Sequence, residues 1–431
     1  MRDAGLRALR RPNFRCWFVH LSLSSSALWV HWLAQDWLVL ELTDGSGTAL
    51  GVVTALQFVP FLVLGPLCGV VADRYPKWAT VVATQLATGL GGLVLGLLVA
   101  AGAVELWHVF AIASLMGACN ALWQPTAQAF VPETVPSRDL GSAVALCAGS
   151  FNVTRLLGAG AGGLFIGFWG TGPVLLVAGL VIAASVWPLL RMDRAALTPG
   201  PRATGGRLVR GGLAYVRGHR EIRLVLAVVG VVAAFGLNSQ LVITLIGTQE
   251  FGGGPGQLGL LGACMAVGSL AGAAVAATTS SVTLRRLVTC ALLFCGVQLL
   301  AALSPSLWVF AVLMAAVGAT QLAFVSTAAT YVQFATTPVV RGRVMAVYLM
   351  VFLGSRPLGA YLMGWAADTW NAPAAVAAQT GAAAVLTVAA VAALRQRLDA
   401  EAGPDPEPAV PPKGSPEESP QGNPTEGRPH V

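Results

Sequence analysis

Three ionisable side chains stand inside long apolar runs of the sequence, where a charge is costly and therefore points to function. Asp36 lies in the first such run, Arg155 in the fifth and Arg356 in the eleventh. A carboxylate removed from water favours its protonated form. Asp36 could therefore take up a proton on one side of a membrane and release it on the other, although a structural carboxylate bonded to a neighbouring helix would give the same pattern.

The two arginines occupy equivalent places in an internal repeat. Arg155 begins the sequence Arg-Leu-Leu-Gly-Ala, and Arg356, 201 positions later, begins Arg-Pro-Leu-Gly-Ala. Inside a membrane, a guanidinium can pair with a carboxylate, bind helix C-terminal carbonyls or line a water-filled cavity. Because the arginines outnumber Asp36, they favour a substrate with an anionic or electron-rich group. A structural pair that only locks helices together is the alternative.

Uncharged polar residues and tryptophans in the same runs could line a cavity. Apolar and aromatic walls with few polar anchors are typical of small-molecule sites. Each polar residue could equally well form a hydrogen bond between two helices. The candidates are Asn120, Gln124, Asn238, Gln321, Trp29 and Trp123, with Gln240, Gln333 and Phe235 as further members.

The composition indicates a protein embedded in a lipid bilayer. Hydrophobic residues make up 55% of the 431 residues and charged residues only 10%, whereas a typical soluble domain has about 25% charged residues. A membrane-spanning helix needs about 20 apolar residues, and twelve such runs can be placed. The sequence thus predicts an all-α membrane protein with twelve transmembrane helices. The runs are 16–42, 48–72, 79–101, 107–130, 140–168, 173–190, 222–248, 257–279, 284–303, 307–331, 344–367 and 374–394.

The basic residues predict the orientation of these runs. Of the 26 lysines and arginines, 24 precede the first run, follow the last or fall in every second connection, and the other two are Arg155 and Arg356. By the positive-inside rule, both termini are expected in the cytoplasm. The net charge of +7 then reflects orientation, and we expect no nucleic-acid partner.

The same patterns divide the chain into five parts. We expect a cytoplasmic N-terminus at 1–15, a six-helix bundle at 16–190, a cytoplasmic central loop at 191–221, a second six-helix bundle at 222–394 and a cytoplasmic tail at 395–431. The tail is rich in Pro, Glu and Gly and has little to bury, so it is expected to be disordered.

The two bundles are predicted to be copies in the same orientation. The offset of 201 that relates the arginines also relates Gly163 to Gly364 and Gly117 to Gly318. Parallel repeats related by an axis along the membrane normal occur in transporters built from two six-helix halves. The repeat therefore predicts a pseudo-twofold axis with Arg155 and Arg356 close to it.

A polar cluster follows the second run, in the stretch Gly-Val-Val-Ala-Asp-Arg-Tyr-Pro-Lys-Trp at 69–78. Gly69, Asp73, Arg74 and Lys77 resemble the signature loop between helices two and three of the major facilitator superfamily, with a proline in place of its second glycine. This resemblance implies two six-helix bundles that rock about a central cavity. It also implies that Asp73 and Arg74 latch the cytoplasmic side while the cavity faces outward.

Three segments carry a narrower resemblance. The segments Trp-Leu-Ala-Gln-Asp-Trp-Leu-Val-Leu at 32–40, Leu-Gln-Phe-Val-Pro at 56–60 and Arg-Gly-Arg-Val-Met at 341–345 are similar to the bacterial drug:proton antiporter branch, which includes macrolide-efflux and enterobactin-exporter proteins. The resemblance implies export of an amphiphilic drug, antibiotic or siderophore-like metabolite across the inner (cytoplasmic) membrane in exchange for protons. Asp36 would then carry the coupling proton.

The expected energy source is the proton gradient. Neither Lys77 nor Lys413, the two lysines of the chain, stands in a Walker A loop, which requires Gly-Lys followed by Ser or Thr. We expect no cofactor, no metal and no enzymatic activity, and a monomer. Two alternatives remain open: a proton-coupled importer or facilitator of the same fold, and a lipid-handling or sensing protein that has kept the fold.

Overall fold

The computed structural model describes residues 7–197, 208–277 and 282–402, and within these ranges every regular element is a helix. The first half of the chain forms α1 Pro12–Leu42, α2 Gly47–Arg74, α3 Lys77–Ala100, α4 Leu106–Thr134, α5 Leu140–Trp169, α6 Thr171–Ala184 and the short α7 Val186–Leu190. The second half forms α8 Leu208–Gly218, α9 Arg220–Phe235, α10 Ser239–Leu245, α11 Pro255–Ala277, α12 Leu284–Ala302, α13 Leu307–Phe334, α14 Pro338–Gly354, α15 Arg356–Thr369 and α16 Ala372–Ala402.

The helices begin where local chemistry favours a start. Pro12 and Pro338 stand in the first turn of α1 and α14, where a missing N–H costs no intrahelical bond. Thr283 and Ser306 accept hydrogen bonds from the backbone of the first turns of α12 and α13, which satisfies amides that have no partner within the helix.

Eleven stretches in the described part of the chain are long and apolar enough to cross a membrane. The helix α1 is not among them, although it has 31 residues, because its serines, histidines, Gln35 and Asp36 make it more polar. With α1 the set corresponds to the twelve predicted spans, most of them matching within a few residues. The predicted fold class is confirmed.

Equivalent glycines confirm the repeat in three dimensions. Gly158 of α5 lies against α1, and Gly359 of α15 lies against α9. In the same way Gly117 of α4 lies against α2, and Gly318 of α13 lies against α11. A Cβ atom at any of the four would come within 3.0 Å of the facing helix, so glycine permits these close crossings. The two halves are pseudo-symmetric.

Besides the span 173–190, which is divided into α6 and α7 at Ser185, two predicted spans are broken helices instead of continuous ones. The span 222–248 is divided into α9 and α10 at residues 236–238, and a π-helical turn, Ile246–Glu250, follows α10. The span 344–367 is divided into α14 and α15 at Ser355. Pro357 explains the second break, because a proline cannot donate the backbone hydrogen bond that would continue the helix.

Three predicted boundaries need correction. The polar stretch 69–78 was expected to be a loop, but α2 continues to Arg74 and only residues 75 and 76 separate it from α3. The central loop 191–221 contains the helix α8, whose Gly212 packs against Arg343 of α14. The last helix ends at Ala402, beyond the predicted boundary at 394, and residues 403–431 of the predicted tail lie outside the described residues.

The helices up to Val391 pack as one compact unit, and Ala392–Val431 form a separate unit whose described part is the end of α16. Alternate connections lie on the same side of the first unit, since successive spans cross it in opposite directions. We call the side with connections 43–46, 101–105 and 370–371 side A. Side B holds connections 75–76 and 335–337.

Candidate transport site

A cavity of about 420 Å³ lies between the two halves of the chain. The first half contributes residues from α1 to α5, and the second contributes residues from the break at 236–238, from α10, α11, α13 and α14, and Arg356 at the start of α15. All nine residues that the sequence suggested for proton coupling and for the substrate cavity line it: Asp36, Arg155, Arg356, Asn120, Gln124, Asn238, Gln321, Trp29 and Trp123. Gln240 lines it too, whereas Gln333 and Phe235 do not.

Asp36 is the one acidic residue among the described residues that line the cavity. It lies on α1 less than two turns before the helix ends at Leu42 on side A, and only 5% of its surface is exposed. Within the described part of the chain it has neither an ion pair nor a hydrogen bond.

Arg155 projects from the middle of α5 into the cavity. Its guanidinium lies 5.3 Å from the centre of the Trp29 ring, and Nη2 donates to the sulfur of Met265 at 3.2 Å. A thioether is a weak acceptor, so this bond joins the halves without neutralising the charge. Among the described residues no carboxylate pairs with Arg155.

Arg356 is held at the break between α14 and α15. Its guanidinium lies 5.0 Å from the ring centre of Phe58 and 5.3 Å from that of Phe352. The Nε atom is buried and has no hydrogen-bond partner. Arg356 lines the same cavity as Arg155. The structure therefore brings both predicted arginines to one cavity.

Helix breaks also place the polar residues of the second half. Asn238 stands at the N-terminal end of α10, and its Nδ2 atom donates to the carbonyl of Ala234 at 3.1 Å. Gln321 of α13 donates to the hydroxyl of Ser239 at 3.3 Å. Breaks in membrane helices near the bilayer midplane are typical of substrate sites in transporters.

Several lining residues were not foreseen from the sequence. They are uncharged polar residues within the apolar runs of the first half and the phenylalanines beside Arg356. The sequence does not show which face of its helix such a side chain occupies. A polar residue within an apolar run was the one signal that could have identified them as cavity residues. They include Ser24, Ser25, Gln57, Thr84, Gln85, Thr88, Phe58 and Phe352.

Contacts between the two halves hold them together on side A. The Asp368 carboxylate of α15 accepts hydrogen bonds from the amides of Gly47 and Thr48, at 2.6 and 2.8 Å, and from the Ser46 hydroxyl at 2.9 Å. It thereby caps the N-terminus of α2, where amides lack intrahelical partners and the helix dipole favours an anion. Gln249 adds a hydrogen bond to the carbonyl of Gly45 at 3.3 Å.

Small residues bring the same helices into backbone contact. Gly364 of α15 packs against Gly47 and Gly51 of α2, and Gly163 of α5 packs against Gly259 of α11. A Cβ atom at Gly163 would lie 2.9 Å from the Cα of Gly259. Small residues allow such close approach of membrane helices. The repeat thus supplies two equivalent crossings, both near side A.

On side B, the described polar contacts of Lys77 and Trp78 lie within the first half. Lys77 forms an ion pair with Glu133 at the end of α4, and Arg74 is exposed. The indole of Trp78 donates to the carbonyl of Leu189 at 2.8 Å, and the guanidinium of Arg194 stacks on its ring. The side chains at 66–73, including the predicted positions Gly69 and Asp73, lie outside the described part of the structure.

Comparisons with known proteins agree with this architecture. A family model described as transmembrane secretion effector matches residues 4–416. The chain is 25% identical to the uncharacterized MFS-type transporter YfiS of Bacillus subtilis (strain 168) over 285 residues, 63% of this chain and 64% of that protein. It is 23% identical to macrolide efflux protein A of Streptococcus pyogenes over 178 residues, 40% of this chain and 43% of that protein. The chain thus spans less than two thirds of either relative's length.

Solved structures share the fold at low sequence identity. The nucleoside transporter NupG superposes with a TM-score of 0.69 at 14% identity, over 88% of this chain and 98% of that one. A POT family transporter in complex with a thioalcohol-conjugated peptide gives a TM-score of 0.71 at 10% identity, over 89% and 96%. Because the family model covers nearly the whole sequence, the chain belongs to the transmembrane secretion effectors, transporters with the major facilitator fold.

Proposed function

We propose that this protein exports an amphiphilic small molecule across the inner (cytoplasmic) membrane in exchange for protons. The observation that carries the proposal is the central cavity, in which a single buried carboxylate, Asp36, faces aromatic walls and two arginines. The family description and the macrolide efflux relative support outward transport. In this proposal side B is the cytoplasmic side, both termini are cytoplasmic, and the monomer is the working unit.

The contacts on side A fit one state of an alternating-access cycle. A cavity between two pseudo-symmetric halves is reached from one side at a time when the halves rock about it. The bonds of Asp368 and the crossing at Gly163 must separate before a molecule can leave on side A. Protonation of Asp36 from that side would then favour the return step.

A proton-coupled importer of the same fold is the second candidate. The nucleoside transporter NupG shares the fold, and the fold itself does not fix the direction of transport. A lipid-handling or sensing protein is a third reading, which would not need Asp36 for a proton-dependent step. The role of Asp36 therefore separates a proton-coupled transporter from the third reading, and the sign of the coupling separates an exporter from an importer.

Proton release from inside-out vesicles tests the proposal. Vesicles that contain the protein are acidified by respiration, and amphiphiles from a broad panel are added while a pH-sensitive dye reports the lumen. An antiporter admits the amphiphile and releases lumenal protons, so the dye signal recovers. In Asp36→Asn we expect this response to disappear, because an amide cannot exchange a proton at that position.

Asp44→Asn serves as the matched control. Asp44 is an exposed carboxylate on side A, next to the end of α1, and the same chemical change there should leave the response intact. Full substrate-triggered proton release in Asp36→Asn, with normal amounts of protein in the membrane, would refute Asp36 as the coupling site.

A further inference from the structure

We infer that the transported molecule carries an acidic group, a carboxylate, sulfonate or phosphate, that is bound by the guanidinium groups of Arg155 and Arg356. The inference rests on the proposed function and narrows its substrate class. It depends on three features of the cavity: two cations without counterions among the described residues, a carboxylate placed away from them, and aromatic rings around the cations.

The first feature is that the two guanidinium groups have few hydrogen-bond acceptors among the described residues. A guanidinium has five N–H donors, and a structural arginine in a membrane protein normally pairs with carboxylates or backbone carbonyls. Within the described residues, Arg155 has a thioether as its polar partner, and the buried Nε of Arg356 has no acceptor. The site therefore offers strong donors to whatever enters the cavity.

The two arginines also share one cavity. Like charges that face the same space repel each other, so an anion bound between them lowers this repulsion and supplies the missing acceptors. Arginine is suited to such a role because its planar fork binds carboxylate, sulfonate and phosphate oxygens in pairs.

Asp36 does not occupy this place. It lies seven positions after Trp29, the residue on which Arg155 stacks, which is about 10 Å along the axis of α1. No ion pair joins Asp36 to either arginine in the described structure. The proton and the acidic group of the substrate can therefore use separate positions within one cavity.

The walls around the arginines define the rest of the molecule. The guanidinium of Arg155 stacks on Trp29, and that of Arg356 lies between Phe58 and Phe352. Phe151 adds a further ring on the Trp29 side. These surfaces suit a flat, apolar body next to the acidic group, so the substrate class is an aromatic or otherwise apolar organic anion.

Two fluorescent probes with the same body test the inference. 1-Anilinonaphthalene-8-sulfonate carries a sulfonate, whereas N-phenyl-1-naphthylamine is the neutral counterpart. Binding of each is measured to the full-length protein in nanodiscs of phosphatidylcholine, with protein-free nanodiscs as background. We expect the sulfonate to bind at least about tenfold more tightly, since a hydrogen bond to a charged group contributes about that much.

Substitutions of the arginines test whether these residues cause the tighter binding of the sulfonate probe. In Arg155→Gln and Arg356→Gln, sulfonate binding should weaken about tenfold while binding of the neutral probe stays unchanged, which also shows that the variants are folded. Arg155→Lys keeps the positive charge and should retain part of the preference. Arg138→Gln, at an exposed position on side B, is the matched control and should bind both probes as the unchanged protein does.

A second nanodisc composition identifies the source of the anion. Both compositions are measured in about 1 M salt, which screens the negative surface that phosphatidylglycerol creates. Under these conditions, added phosphatidylglycerol weakens sulfonate binding by competition if the acidic group belongs to a membrane lipid, and leaves it unchanged if the group belongs to a soluble molecule. Both results support an anion site at the arginines.

Other results overturn the inference. Equal binding of the two probes, or an unchanged preference in both glutamine variants, would refute the acidic substrate class while leaving amphiphile export in place. Absence of binding by either probe would count against the proposed function itself and against this inference with it.

Discussion

Carboxylates at two depths in the protein have opposite surroundings. Asp36 faces the cavity without an ion pair or hydrogen bond among the described residues. Asp368 on side A accepts three hydrogen bonds from Ser46, Gly47 and Thr48, so its charge is used to join two helices. The proposed function assigns the coupling proton to Asp36, whereas Asp368 is a contact between the two halves.

The closing role of Asp368 predicts a local change in amide exchange. In Asp368→Asn the negative charge is lost, so the free energy of opening the N-terminus of α2 should fall by about 1 kcal/mol. The equilibrium constant for opening then rises roughly fivefold. Hydrogen–deuterium exchange of a peptide that contains Gly47 and Thr48 should accelerate by that factor. Asp44→Asn, two residues before Ser46, is the control, and equal exchange in both variants would contradict the role of Asp368.

At the scale of single residues, the sequence identified the charged side chains within the membrane spans but not the residues that they contact. A charge inside an apolar run is conspicuous, which is why the sequence alone singles out Asp36 as a proton site and Arg155 and Arg356 as cavity or charge-pairing residues. Gln57 and Gln85 were missed because an uncharged residue does not disclose the face it occupies. The partners of Asp368 stand up to 322 residues earlier in the chain, and no local pattern connects them.

The crossing of α5 and α11 is one of the two close contacts that the described helices of the two halves make near side A. Gly163 lies against Gly259, while Gly167, one turn later on α5, has open space where a Cβ atom would stand. Two glycines of one helix therefore have different roles. Gly163 allows two backbones to touch, and Gly167 contributes no contact of that kind.

This difference predicts opposite results for two identical substitutions. Gly163→Ala forces the helices apart at a cost of about 1–3 kcal/mol and should shift the protein toward a state that is open on side A. Gly167→Ala should leave the distribution unchanged and raise the stability of α5 by up to about 1 kcal/mol. Spin labels at the exposed positions Ala103 and Leu303, one in each half, measure the separation on side A. An unchanged distance distribution in Gly163→Ala would exclude this crossing as a closing contact.

The sequence predicted the helices better than their interruptions. Apolar runs and flanking charges located the spans because a bilayer requires a long apolar helix. The breaks at Ser185, at 236–238 and at Ser355 were missed because a broken helix has the same apolar composition as a continuous one. The proline at 357 was visible, but the repeat aligned it with a leucine in the unbroken α5. The helix α8 was missed because its run is short and bears charges.

The described helices up to Val391 form two pseudo-symmetric halves around the cavity, with contacts between them on side A. Among the described residues that line the cavity are one carboxylate and two arginines. In the proposed function, protonation of Asp36 and binding of an acidic substrate each change the charge of this cavity. In an exporter driven by proton exchange, protons and substrate should cross the membrane in opposite directions. The proposed function therefore depends on the relative direction of these two movements.

Purified protein in liposomes measures this relative direction. Liposomes are prepared with an interior either more acidic or more alkaline than the bath, the membrane potential is clamped with potassium and valinomycin, and accumulation of the two naphthalene probes is followed. Protein-free liposomes and Asp36→Asn give the passive background. Antiport predicts accumulation above that background in acidic liposomes only, because protons leave as the probe enters, whichever way the protein is inserted. Accumulation in alkaline liposomes instead would show that proton and substrate move together, and would contradict an exporter driven by proton exchange.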